Sequence, residues 1–205
     1  MMRKTDPILM AAKDAFIENG FRNTSMDEVA ARAGTTKKTV YNNFASKEVL
    51  LDAVIDHAIA MFEEAVPALD TEADTKHLTR FLSLLLEFVT WRAAIGLQRL
   101  IIAEGAAFPA LAHRLTTRSS AALRQPLSEW LKTHGVPDKR ARDQANAIVD
   151  GLTAKARLDR LVGLRDPYPL LPGKNRLDGL DRTAVETAVR QLEQGDSYPR
   201  DFAKG

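Results

Sequence analysis

The chain has 205 residues, with 29 Lys and Arg against 27 Asp and Glu, a formal net charge of +2 and no cysteine. So small a net charge does not by itself indicate a nucleic-acid partner, and the lack of cysteine excludes disulfides and cysteine-ligated zinc. Charges interrupt the longest apolar stretch and the N-terminal run, so we expect neither a transmembrane helix nor a signal peptide. These features suit a cytoplasmic protein.

Apolar residues recur with helical spacing along the whole chain, and no segment shows the sustained alternation of a β-strand. This pattern predicts an all-α fold. The first predicted helix spans residues 6–19 and ends at Asn19-Gly20, because glycine tolerates the backbone geometry that stops a helix. Its predicted buried face comprises Ile8, Ala12, Ala15 and Phe16.

Two short helices are predicted next. Ser25 and Glu28 form a capping box, in which the serine caps the second helix and the glutamate reaches back toward it. That helix ends at Gly34. Thr35 or Thr36 can cap the third helix.

A long fourth helix is predicted to begin at residues 46–48 and to end near Pro67. Its predicted inward residues are Val49, Val54, Ile55 and Ile59. The polar segment 70–76 follows as a connection. We place a domain boundary at residue 50, although the fourth helix itself would bridge the two domains.

The C-terminal part contains further predicted helices, at residues 75–90, 91–105, 109–134, 138–162 and 181–194. Pro126 should kink or split the helix at 109–134, because proline removes a backbone donor. Three Pro and three Gly predict a loop at residues 163–180. Asp181 should cap the last helix, and the tail from Gly195 should fray.

The second and third helices match a helix-turn-helix motif. Counted from Met26, Ala30 falls at position five, where crossing helices come close. Gly34 falls at position nine, where the turn favours positive φ, and Val40 falls at position fifteen on the buried side. The second helix of such a motif presents its N-terminus and its polar side chains to the DNA major groove.

The chain resembles the TetR family of transcriptional repressors in four stretches: residues 11–21, where helix one ends in a G-[FY] turn; TSMDEVA from Thr24 to Ala30; Ala33-Gly34; and the run from Thr39 to Leu50 with the pattern T-x-Y-x-x-F-x-S-K-E-x-L. A weaker likeness to AcrR-like members follows at residues 103–112. The resemblance implies about nine helices. Residues 1–50 would form a three-helix DNA-binding domain with the helix-turn-helix motif, and residues 51–205 a larger helical domain for effector binding and dimerisation.

The resemblance also implies roles for individual residues on DNA. Phosphate contacts would come from Thr24, Ser25, Thr39, Tyr41 and Lys47. Base or groove contacts would come from Lys37, Lys38 and Asn42, and the DNA-facing set is completed by Thr35 and Thr36. The residues alone leave another interpretation open, in which the adjacent lysines are only a solvated helix surface.

An effector pocket is implied in the C-terminal domain. Candidate lining residues combine bulk with an occasional polar group, and they are Phe62, Phe81, Leu85, Phe88, Trp91, Ile95, Gln98, Ile102 and His113. Each could instead be ordinary core. Glu104 is expected to be partly buried and to bond Arg99 or a helix N-terminus rather than a ligand.

Dimerisation is predicted through the helices at 138–162 and 181–194, which could form a four-helix interface about a two-fold axis. The predicted interface residues of the first of these are Ala141, Ala145, Ile148, Val149 and Leu152. Packing within one chain is the alternative.

The sequence thus predicts a homodimeric, ligand-responsive transcriptional regulator, most simply a repressor that binds a pseudo-palindromic DNA operator and is released by a small apolar or amphipathic effector. A transcriptional activator remains open. So does a helical dimer that mainly binds small molecules and whose DNA-binding module is vestigial. The four histidines lack metal-ligand spacing, and no catalytic or cofactor motif is present, so we expect neither an enzyme nor a bound cofactor.

Overall fold

The computed structural model describes residues 5–66, 69 and 74–194. Within them lie nine helices: α1 (Asp6–Asn23), α2 (Met26–Arg32), α3 (Lys37–Asn43), α4 (Lys47–Ala65), α5 (Thr75–Thr90), α6 (Arg92–Glu104), α7 (Pro109–Thr133), α8 (Asp138–Leu161) and α9 (Gly179–Gln194). The all-α prediction is confirmed. The predicted helix end near Pro67, the connection at 70–73 and the frayed tail from Gly195 lie outside the described residues.

The predicted stop at Gly20 is confirmed, because Gly20 has a non-helical backbone with φ +79°, and a short further helical stretch continues α1 to Asn23. α7 runs through Pro126 without being split. A proline in a helix removes one intrahelical hydrogen bond, and the helix continues on either side of that gap.

The described chain divides into two compact units. The first comprises Met1–Glu63 and Gly96–Ser119, and the second comprises Glu64–Ile95 and Ser120–Gly205. The predicted domain boundary at residue 50 falls inside α4. The two units divide at other points, and the boundary at residue 50 stays a prediction.

The core of the first unit is built from α1 to α4 together with the parts of α6 and α7 that belong to it. Phe21 lies between two other rings, with centroid distances of 5.6 Å to Phe16 and 5.2 Å to Phe108. Val49 is 48% exposed, so its predicted inward position is wrong. The buried residues of α4 form a stripe at Leu50, Leu51, Val54, Ile55 and Ile59, and helical periodicity places residue 49 beside that stripe.

Ion pairs on the surface of the first unit join α7 to α4. Arg114 pairs with Asp52 and Asp56, and Arg118 binds Glu63 with two hydrogen bonds of 2.9 and 2.6 Å. Solvent and salt screen exposed pairs of this kind, so each contributes little to stability.

Glu104, at the end of α6, is partly buried as predicted. Its carboxylate lies 3.6 Å from Nε of Arg22, which is an arginine partner of the kind predicted.

The second unit packs α5 against both α8 and α9, and α8 against α9. Its buried faces include the residues predicted for the dimer interface, Ala141, Ala145, Ile148, Val149 and Leu152. Their role is therefore corrected. These side chains lie inside their own chain and cannot meet a second copy in this conformation.

The start of α9 is held by a buried ionic cluster. Asp181 is 1% exposed and accepts hydrogen bonds from Arg160 Nη2 and Tyr168 Oη, both at 2.7 Å. α9 begins before it, and Asp178 provides the cap by accepting from the Asp181 N–H. Burial of the phenol, and then its Asp181 neighbour, raise the pKa of Tyr168 to about 12, so Tyr168 stays a hydrogen-bond donor at neutral pH.

The loop between α8 and α9 is tied to α5 by a second buried carboxylate. Glu87 is 4% exposed and accepts three hydrogen bonds, from the backbone N–H of Gly173 and from the backbone and side-chain amides of Asn175. In the same loop, Tyr168 forms a parallel β-bridge with Trp91. The loop is therefore an ordered strap across the second unit.

Among the described residues, no helix combines the length and the apolar character needed to cross a membrane.

Candidate nucleic-acid interface

The turn between α2 and α3 has the geometry that its glycine predicts. Gly34 has φ +64°, and a Cβ at that position would meet no atom within 4 Å, so the backbone conformation rather than space requires glycine. Ala30 and Val40 are buried on the inner sides of the two helices. The helix-turn-helix prediction is confirmed in these three positions.

Both short helices begin with a hydroxyl cap. Ser25 Oγ accepts from the Glu28 N–H at 3.1 Å, and Thr36 Oγ accepts from the Thr39 N–H at 3.2 Å. The Glu28 carboxylate does not reach back to the cap as predicted, but accepts from Asn19 and pairs with Arg32. Of the two candidate caps for α3, Thr36 takes the role.

The outer face of α3 carries most of the predicted DNA-facing set. Thr36, Lys37, Lys38, Tyr41 and Asn42 are exposed. The set is completed by the half-buried Thr35 and Thr39 and, at the start of α2, by the exposed Ser25. α3 thus presents hydroxyl, ammonium, phenol and amide groups together at its surface.

Lys37 is the cation of α3 that has a partner. Its Nζ lies 2.9 Å from Oδ2 of Asp27 on α2 and 6.0 Å from the centroid of the Tyr41 ring. The hydrogen bond to Asp27 raises the pKa of Lys37 above its usual value. Lys38 has no ion-pair partner among the residues that the structure describes.

Thr24 does not lie where the resemblance would place a phosphate ligand. Its side chain is buried, at 2% exposure, and its hydroxyl donates to the carbonyls of Gly20 at 2.8 Å and Ala15 at 3.1 Å. We therefore correct its assignment. The Thr24 hydroxyl stabilises the kinked end of α1 and is not available to DNA.

Lys47 is also placed differently. Its ammonium donates to three backbone carbonyls, those of Phe21 at 2.8 Å, Arg22 at 3.1 Å and Thr24 at 2.9 Å. It also lies 4.6 Å from the centroid of the Phe21 ring. An ammonium has three N–H donors, so all are used. Lys47 caps the C-terminal end of α1, a role that was not predicted from the sequence, and its assignment as a phosphate contact is corrected.

The candidate effector residues are distributed over both units. In the second unit, Phe81, Leu85, Phe88 and Ile95 are buried, and Trp91 is half-buried. In the first unit, Phe62 and Gln98 are half-buried. Ile102 is 71% exposed and His113 is exposed as well, so neither is suited to line an enclosed pocket.

Two buried polar atoms of the second unit were missed by the sequence reasoning. Ser128 Oγ on α7 and Gln144 Oε1 on α8 have no hydrogen-bond partner among the described residues. Buried polar groups are normally paired, so such atoms are candidates to contact a ligand. Both residues occur in ordinary helical sequence, and no local pattern could have singled them out.

The fold and the exposed face of α3 define a helix-turn-helix transcriptional regulator. Residues 8–54 match the family model of bacterial regulatory proteins of the tetR family, and residues 76–136 match that of the AefR-like transcriptional repressor C-terminal domain. The chain belongs to the TetR family.

Individual relatives agree with this assignment. The chain is 38% identical over 63 residues to the HTH-type transcriptional regulator UidR of Escherichia coli K12, a match that covers 29% of this chain and 32% of that protein. The match thus spans about a third of the length of that curated relative.

Solved structures match over nearly the whole chain. A putative TetR-family transcriptional regulator from Mesorhizobium loti has a TM-score of 0.78 at 22% identity, covering 93% of this chain and 95% of that one. The flavonoid-responsive regulator FrrA has a TM-score of 0.69 at 25% identity, covering 92% and 94%. The first of these likenesses concerns the fold alone.

Proposed function

We propose that this regulator binds an operator in double-stranded DNA through α3, as a homodimer, and represses transcription. The observation that supports this most is the outer face of α3, where hydroxyl, phenol and amide side chains stand beside a lysine without an ion-pair partner in the described structure. Such a surface fits the major groove, where side chains read base edges and phosphates fix the position of the helix. The name of the matching C-terminal model favours repression over activation.

DNA binding is tested on a duplex from the region upstream of the chain's own gene. We expect Tyr41→Phe to weaken binding at least about tenfold, because a hydrogen bond to a charged phosphate contributes about 1.5–3 kcal/mol. We expect Lys38→Ala to reduce the salt slope of log affinity by about 1 for each subunit that contacts the DNA. Gel-shift titrations at several salt concentrations measure both effects.

Lys76→Ala is the matched control, since Lys76 is an exposed lysine on α5 in the second unit. It should leave affinity and salt slope unchanged. If the wild-type chain gives no shift even at low salt, the proposal fails, and a ligand-binding protein with a vestigial DNA-binding module becomes the better explanation.

For the dimer interface we propose the outer face of α8 in place of the buried face predicted from the sequence. Residues 147, 151, 154 and 158 recur at helical spacing on one stripe, and all four are exposed. The stripe reads Ala, Gly, Ala, Leu, which permits close approach of a second helix. The exposed Val162 and Leu164, at 61% and 76%, extend it past the end of the helix. We call these six residues the α8 stripe.

For the effector we propose a small apolar or amphipathic molecule that binds in the second unit, near Phe81, Leu85, Phe88 and Ile95. Ligand pockets are mostly apolar with a few polar groups that fix orientation. Ser128 and Gln144 would supply such groups. The effector would favour a conformation in which the two DNA-binding modules no longer match the operator spacing.

The effector proposal predicts that one set of compounds both stabilises the protein and releases DNA. A ligand at a hundred times its Kd raises the free energy of unfolding by about 2.7 kcal/mol, so binding is visible as a higher Tm. A library of planar aromatic and amphipathic compounds, with flavonoids included because FrrA is flavonoid-responsive, is screened by thermal shift. Compounds that raise Tm should weaken the gel shift. Stabilising compounds that leave operator affinity unchanged would contradict the proposal.

A further inference from the structure

The Lys37–Asp27 ion pair lies within the proposed DNA-binding surface. The two side chains are 57% and 63% exposed, and the distance between Nζ and Oδ2 is 2.9 Å. Asp27 lies in the first turn of α2, and Lys37 is the first residue of α3. A carboxylate near a helix N-terminus is stabilised by the helix dipole, whereas a lysine there is not. The dipole of α2 therefore stabilises the charge of Asp27, whereas the dipole of α3 opposes the charge of Lys37, and the ion pair joins the two.

This arrangement makes the two adjacent lysines unequal. Lys38 has no ion-pair partner among the described residues and can contact phosphates of any sequence. The Lys37 ammonium is neutralised by Asp27, so it gains little by exchanging that carboxylate for a phosphate. The Lys37 ammonium gains more binding free energy if it keeps its bond to Asp27 and donates a further hydrogen bond to a base acceptor, such as the O6 or N7 atom of guanine.

The carboxylate also opposes nonspecific binding. A negative charge within hydrogen-bond distance of a DNA-facing ammonium cancels the counterion release that this ammonium would otherwise provide. Nonspecific affinity depends on counterion release, whereas operator affinity also draws on base contacts. The pair should therefore lower affinity for random DNA more than affinity for the operator.

We propose that Asp27 is a specificity-determining residue that restrains Lys37, so that Lys37 reads bases instead of gripping phosphates. This inference rests on the proposed operator binding through α3. It assigns sequence reading to Lys37 and nonspecific phosphate affinity to Lys38.

The test compares Asp27→Asn with wild type on two probes, a duplex selected from a random library by the wild-type protein and a scrambled duplex of the same composition. Asparagine keeps the size of the side chain and removes its charge. We expect affinity for the scrambled duplex to rise about fivefold, its salt slope to steepen by about 0.9 for each subunit that contacts the DNA, and the ratio of selected to scrambled affinity to fall. An unchanged ratio and slope would overturn the inference.

A second variant separates restraint of Lys37 from plain repulsion of phosphates by Asp27. In a Lys37→Met background, Asp27→Asn should no longer steepen the salt slope, because residue 37 then has no ammonium that could leave Asp27 for a phosphate. If the effect persists in that background, Asp27 acts by repulsion alone and the inference is wrong. Asp14→Asn on α1 removes an exposed carboxylate outside α2 and α3 and should change neither quantity.

These outcomes differ from a failure of the proposed function. If the wild-type protein selects no duplex from the library, operator binding itself is refuted. A second outcome is that the wild-type protein selects a duplex, Lys37→Met loses sequence preference and Asp27→Asn behaves like wild type. In that case operator binding through α3 is supported and only the proposed role of Asp27 is refuted.

Discussion

Replacing Lys47 with methionine is expected to lower the free energy of unfolding by about 2–4 kcal/mol. The substitution removes three hydrogen bonds from the ammonium to the carbonyls of Phe21, Arg22 and Thr24, and leaves those acceptors at the end of α1 without their partner. It also removes the cation from the face of the Phe21 ring. Methionine retains the length of the side chain, so the loss reflects the ammonium. Chemical denaturation measures it.

The same variant should bind the operator more weakly, but with the salt slope of wild type. The carbonyls that Lys47 holds lie directly before α2, so their release disturbs the entry into the helix-turn-helix. The ammonium has no donor left for phosphate, so its removal does not change the number of counterions released. Lys38→Ala provides the contrast, with a shallower slope and unchanged stability. Unchanged stability with a slope shallower by about 1 per subunit would show that Lys47 binds phosphate.

Gly151→Arg is expected to convert the dimer to a monomer and to lower operator affinity by at least about a hundredfold, because two linked half-site contacts become one. Glycine in a helix interior costs about 1 kcal/mol relative to alanine. A Cβ at residue 151 would meet no atom within 4 Å of its own chain. Nothing inside the chain therefore requires glycine in the α8 stripe, whereas close approach of a second copy would. Sedimentation and gel-shift titrations measure the two effects.

Arginine at residue 151 should leave the fold of the single chain intact, since it enters open space and favours helix more than glycine does. The helix content measured by circular dichroism is expected to match wild type. Asn146→Arg places the same side chain on an exposed position of α8 outside the stripe and should leave the dimer in place. A Gly151→Arg protein that still sediments as a dimer would exclude the α8 stripe as the interface.

The helix-turn-helix was predictable because its determinants are local. Gly34 must turn with positive φ, Ser25 and Thr36 cap the residues that follow them, and Val40 faces inward by helical periodicity. Each of these depends on a few neighbouring residues, and the structure contains them all. The helices of the C-terminal part were predictable for the same reason, within a few residues at each end.

The corrections at Lys47 and Asp181 concern contacts between residues distant in sequence. Lys47 meets carbonyls 23 to 26 residues earlier, and Asp181 meets Arg160 from 21 residues away. Seen alone in the sequence, a lysine at the start of a helix suggests a phosphate contact. An aspartate near the start of a helix suggests a cap. Which carbonyl or guanidinium lies nearby is decided by how the helices pack.

The clearest contrast is α8. Helical periodicity in the sequence identified one apolar stripe, Ala141 to Leu152, but periodicity is the same whether a helix buries that stripe within its own chain or against a second copy. Packing of α8 on α5 and α9 decided that this apolar face, from Ala141 to Leu152, is buried within its own chain, on the side opposite the α8 stripe. The sequence by itself therefore determined which segments are helical and which residues turn between them, because those are properties of neighbouring residues. Only the tertiary structure decided which faces remain for DNA and for a partner, because a face is available only when no other part of the chain covers it.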